Sequence, residues 1–201
     1  MSQLRNRHFV AAAVVAAELH KAMIVAKEIS LTASNAKALA LRAGSGAAGF
    51  RALTDFIDEL AKKTIYTSRE VNTLAVQISK IASQTARVSF ALERFEFAAQ
   101  KAKTARYVES IAPACQRTQQ EVQDMKRNFD KRVWQLKSKL DDIARELRTG
   151  IVLSTMSRVE ATQSGKENEA SLYTIAQNVA DAAEKIRAHV NISQQCFAHF
   201  H

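Results

Sequence analysis

The sequence predicts an all-α protein, a long antiparallel coiled-coil hairpin within an elongated four-helix bundle. Three observations carry that expectation. The 201 residues include one proline and five glycines, far below the ordinary usage of roughly 5% and 7%, which argues against a β-rich fold with its many tight turns. Apolar residues make up 47% of the chain, enough to bury a core and too many for a disordered polymer. Apolar residues also recur at alternating spacings of three and four over most of the length, the period of helices packed along one seam.

The first helix begins in the apolar run Phe9–Ala17 behind Arg5 and Arg7. Glu18, His20 and Lys21 interrupt the run, so it is too short to span a bilayer. The periodicity continues through Val25 and Ile29 without a cleavage-like break, which argues against a secretory signal and for a cytoplasmic protein with no transmembrane segment. Val25, Ile29, Thr32, Ala36 and Leu39 carry the pattern through a stretch of good helix formers. The stretch from Ala43 to Gly49 holds three of the five glycines. Gly44 suits the left-handed position that ends a helix, and Gly46 can supply a second unusual φ in a tight reversal.

The strongest regularity follows. Phe50, Leu53, Ile57, Leu60, Thr64, Thr67, Val71, Leu74, Ile78, Ile81, Thr85, Val88, Leu92 and Phe95 alternate three and four apart without a slip. Such a seam faces a partner helix and predicts a helix from about residue 47 to 110. Residues 1–110 therefore read as a helical hairpin with its tip at 43–49, and residues 111–201 as two further helices. Pro113 fits the first turn of a new helix capped by Ser110, or else a kink in the old one. Val122, Met125, Phe129, Val133, Leu136, Leu140, Ile143 and Leu147 mark the third helix, which Gly150 loosens. Residues 164–168 read as a polar turn, and Leu172, Ile175, Val179, Ala182 and Ile186 mark the last helix. One hairpin buries only one seam, so either a second chain or the later helices must complete the bundle; a homodimer is expected.

Charge and chemistry-bearing residues narrow the function. The formal charge is +9, but the basic excess is diffuse and interleaved with acids, without the basic arm and stacking aromatics of a nucleic-acid binder. Cys115 and Cys196 form no CxxC pair and have no histidine at ligand spacing, so neither a metal site nor a disulfide framework is indicated. Gly44, Gly46 and Gly49 spell G-x-G-x-x-G, yet the lead-in 35–42 is helical, whereas a dinucleotide site requires a strand there. No cofactor is expected. Asp141 and Asp142 lie beside Lys137, Lys139 and Arg145 as a salt-bridged solvent face. Trp134 reads as an interface or core anchor. Nothing in these patterns forms a catalytic constellation, and the chain is expected not to be an enzyme.

The tip resembles a known family. Asn35-Ala36, Arg42-Ala43-Gly44, Gly49-Phe50, Asp55, Leu60-Ala61 and Thr64 resemble the signalling hairpin of bacterial chemoreceptors, the methyl-accepting chemotaxis proteins, over residues 34–64 without a gap. The flanking legs are similar only as heptads, so about a third of the chain takes part. The resemblance implies an antiparallel hairpin that dimerises into a four-helix bundle and whose tip engages the histidine kinase CheA and the adaptor CheW. It implies that Asn35 and Arg42 lie in the region of contacts between dimers, and that Phe50 and Leu53 fall on the return leg near the kinase and adaptor surface. Ser34, Leu39, Ser45 and Lys27 depart from the family pattern at contact positions. The expected function is a non-enzymatic, chemoreceptor-like signalling or chemosensory-array-associated protein with a divergent tip at Asn35, Leu39, Arg42, Phe50 and Leu53. The alternative is a structural coiled-coil or helical adaptor that kept the hairpin without kinase coupling.

Overall fold

A computed structural model of the chain describes residues 2–104, 106, 108–163 and 166–198. Four helices account for nearly all of them: α1 (Ser2–Arg42), α2 (Ala48–Lys101), α3 (Ala112–Gln163) and α4 (Lys166–Ala198), with 3-10 turns at Gly44–Ala47 and Val108–Ile111. No strand occurs among the described residues, as the all-α expectation requires. No helix among them is long and apolar enough to cross a membrane.

The helix ends follow local chemistry. Gly44 adopts φ +73° immediately after α1, the left-handed conformation that an L side chain resists. Gly46 lies within the 3-10 turn that follows. Helix α2 stops at Lys101, short of the expected 110. Helix α3 then starts at Ala112 with Pro113 in its first turn, where the missing N–H removes no intrahelical bond. The break is thus a new helix and not a kink. Gly150 does not loosen α3, which runs through it unbroken. Of the expected turn at 164–168, Ser164 and Gly165 lie outside the described residues, and Lys166 to Asn168 belong to α4.

The chain forms two compact units: Met1–Ala13 with Leu74–Leu136, and Val14–Thr73 with Lys137–His201. The second unit is itself a four-helix bundle. Its polar cross-links show the topology. Ser30 and Lys37 of α1 bond Asp58 and Asp55 of α2. Lys63 and Glu70 of α2 pair with Glu146 and Lys139 of α3. Asp141 and Arg158 of α3 bond Gln194 and Gln177 of α4, and His189 of α4 returns to Glu18 of α1. At the first three interfaces one residue number rises as the other falls, so successive helices run antiparallel in up-down-up-down order.

Heptad seams meet inside that bundle. Helix α3 buries Leu140, Ile143, Leu147, Gly150, Ser154, Ser157 and Ala161. Helix α4 buries Leu172, Ala176, Val179, Ala183, Ile186, Val190, Ser193 and Phe197, with the expected Ile175 and Ala182 only half-buried beside them. The buried serines bond carbonyls of their own helix, Ser154 to Ile151, Ser157 to Leu153 and Ser193 to His189, which satisfies the hydroxyls in an apolar setting. Helix α1 buries Val15, Leu19, Ala22, Ala26, Ile29, Ala33, Ala36 and Ala40. Of its expected stripe only Ile29 and Ala36 are fully buried, while Val25, Thr32 and Leu39 are half-buried at its edge. A row of alanines lets neighbouring backbones approach closely, so the smallest face is the one that packs. At Gly150 the same closeness appears in α3, since a Cβ there would run into Cδ2 of Leu60.

The first unit joins residues before Val14, the latter part of α2 and the first part of α3. Its buried side chains include Ala75, Ile78 and Ile81 of α2 and Val122, Val133 and Leu136 of α3. Beyond Ile81 the α2 seam loses cover: Thr85, Val88 and Leu92 are half-buried and Phe95 is exposed.

Candidate functional site

The hairpin tip is built from the end of α1, the 3-10 turn and the start of α2. The Ala43 N–H donates to the Leu39 carbonyl at 3.0 Å, closing the last turn before Gly44 reverses the chain. Below it Phe50 inserts into a cluster of Ala36, Ala40, Ala47, Ala161 and Leu172, flanked by Leu39, Ala43 and Ile175. All four helices or their connecting turn contribute, so the tip is anchored to the core of its own unit. The flank is tied by charge. Lys37 reaches Asp55 at 2.6 Å, and Asp58 takes Ser30 and Lys62 at 2.6 Å each. Burial pushes the Asp58 carboxyl up, but the Lys62 and Ser30 hydrogen bonds outweigh it and hold the group below its ordinary range. Gly49 has a local reason: the Glu160 carboxylate occupies the space a Cβ would need. There it faces the positive end of α2, where an anion is stabilising.

The expected tip residues separate into two sets. Asn35 and Arg42 are exposed, as is Leu41 beside them. Leu39 is half-buried against the Phe50 cluster, and Phe50 and Leu53 are buried inside the chain. Of the expected set, only the α1 residues Asn35 and Arg42 are fully exposed. The three glycines 44, 46 and 49 form the turn between two helices, with no strand leading in, so the cradle of a dinucleotide site is not formed there.

A second polar cluster joins residues that lie far apart in the sequence and show no common motif there. Glu18 is buried beside the α1 seam and accepts hydrogen bonds from Lys21 Nζ and His189 Nδ1, each at 2.7 Å. Lys21 first and His189 second hold the Glu18 carboxyl below the usual glutamate range. The available signal was an acid one position from Leu19 in an otherwise apolar seam. Cys196 lies two turns from His189 on α4; burial, then the Glu18 charge, pushes its thiol up. That is the reverse of an activated nucleophile, and the cluster has the character of an interhelical lock.

The depression lined by Arg117, Gln120, Glu121, Asp124, Met125 and Asn128 belongs to a single helix. No group of three or more potential metal ligands occurs among the described residues. Trp134, expected as an interface or core anchor, is 69% exposed and so is not part of the core. Comparison of the chain with protein-family models, with curated proteins and with solved structures returns no match.

Proposed function

We propose that the protein is a non-enzymatic helical signalling scaffold whose tip, similar to that of the chemoreceptors, contacts a CheA/CheW-type kinase and adaptor or a divergent replacement. The single observation that supports this reading is the tip itself: a left-handed Gly44 between antiparallel helices, with Asn35, Leu41 and Arg42 left exposed beside it. In this reading α3 and α4 fill the place of a second hairpin, and partner contact falls to the α1 edge. A homodimer would use outer faces, of which Ile24 and Leu31 on α1 are exposed apolar members.

The test is a pull-down with purified CheA and CheW, using the parent chain and Arg42→Ala. Retention of kinase or adaptor by the parent and its loss in the variant, at unchanged thermal stability, supports the reading. No retention of either protein removes the kinase partnership. A structural adaptor is then the better reading, and the burial of Phe50 and Leu53 within the chain favours it.

A further inference from the structure

We propose that the outer face of the C-terminal half of α2 docks on an anionic membrane surface, lying along it without crossing. The inference is independent of the tip and uses the first unit alone. Lys80, Arg87, Arg94 and Lys101 recur every seven residues and are all exposed. Beside them runs a second row, Val76, Ser83, Phe90 and Phe97, also at intervals of seven. Val76, Phe90 and Phe97 are 62%, 59% and 61% exposed. At 100° per residue the two rows are roughly 40° apart and opposite the seam of Ile78 and Ile81. Of the acids of this stretch, Glu96 projects roughly 170° and Glu93 roughly 110° from the basic row, with Glu93 on the far flank of the aromatic row, roughly 40° from Phe97 and 60° from Phe90.

The rows are physically coupled. The Arg94 guanidinium lies over the Phe90 ring at 5.9 Å from its centroid, and the Lys101 ammonium over Phe97 at 5.7 Å. Each of the two rings thus carries a cation beside it. On a bilayer this arrangement places the rings at the headgroup boundary while the long basic stems reach the lipid phosphates. The stripe from Val76 to Lys101 runs roughly 37 Å along one helix, matching an extended flat anionic surface. A single-stranded nucleic acid would need a groove that follows its backbone and ring faces free for stacking. Here the face is the convex side of one helix, and each ring already has a cation over it.

Vesicle flotation tests the proposal, comparing phosphatidylcholine vesicles with vesicles containing about a third phosphatidylglycerol. The full chain should float with the anionic vesicles at low salt, stay behind with neutral ones, and be released at about 0.5 M salt, where screening is short-ranged. Arg87→Glu with Arg94→Glu should weaken partitioning at least about ten-fold, given a factor of about five per basic residue at the surface. Phe90→Ser with Phe97→Ser should weaken it at least about three-fold while keeping the salt dependence. Lys126→Glu with Lys131→Glu, the same charge change on exposed positions of α3, should bind like the parent. If the reversal pair loses helicity by circular dichroism, Lys80→Gln with Arg87→Gln tests the same row. The proposal is overturned by absence of flotation at low salt, by equal binding to neutral vesicles, or by parent-like binding of both α2 variants. It also fails if a labelled single-stranded oligonucleotide binds more tightly than the anionic vesicles and loses binding with the same variants.

Discussion

The Glu18 carboxylate accepts the Nδ1 proton of His189 across the α1–α4 interface at 2.7 Å, while Lys21 binds its other oxygen. Residues 171 positions apart thereby close the ring of four helices between its first and last members. Because the Glu18 carboxyl is held below the ordinary value of about 4.5, its contribution is complete above that pH and is lost as pH falls through the folded-state value. Chemical denaturation from pH 7 to pH 3 should show the parent more stable than Glu18→Gln by about 1–3 kcal/mol at neutral pH. The gap should shrink below about pH 4.5. A gap independent of pH would refute the charged lock.

The Leu60 side chain of α2 fills the space that a Cβ at Gly150 of α3 would need. A side chain at 150 must displace a buried leucine, although alanine gains helix propensity worth about 1 kcal/mol over glycine. Gly150→Val should therefore be destabilising by about 1–3 kcal/mol through overpacking, and Gly150→Ala should fall well short of that loss. A melting temperature unchanged in the valine variant would contradict the close approach.

Gly44 and Gly49 are predicted to behave differently despite their shared motif. Gly44→Ala strains a positive φ and should cost about 1–2 kcal/mol. At Gly49 the crowding atoms are the end of the flexible, half-buried Glu160 side chain, which can swing aside, so Gly49→Ala should stay within about 0.5 kcal/mol of the parent. Urea unfolding of the two variants checks the ranking.

The α2 seam should be unequal along its length. Ile78 is fully buried, and Ile78→Ala should cost about 2–5 kcal/mol. Phe95 belongs to the same three-four seam but is exposed, and Phe95→Ala should cost under about 1 kcal/mol. Equal losses in thermal unfolding would mean that the end of the seam is covered in solution.

Much of this molecule was legible from local chemistry. The heptads from Phe50 to Ile81 and from Val133 to Leu147 marked the helices and their buried faces. Gly44 marked the end of α1, because a left-handed φ excludes most other residues. Pro113 marked the start of α3 once the chain had left α2. These signals act within a few residues of themselves, so no tertiary partner is needed to read them. The tip was legible as a turn, but its exposed edge was not, since Phe50 is equally suited to a partner's surface and to its own core.

What the sequence determined by itself is therefore the set of helices and the end of α1, whereas it carried α2 past its end at Lys101. Tertiary structure alone decided which face of α1 is that stripe. Alanines and larger apolar residues surround this helix, and the face from Val15 to Ala40 is buried because small side chains let three neighbours approach at once. It alone decided that Glu18 meets His189, a pairing no local spacing encodes. It also decided that the row from Lys80 to Lys101 faces outward, away from the buried Ile78 and Ile81. The physical reason is common to all three: periodicity says how often a side chain returns to one face, while packing against other helices says which face goes inward.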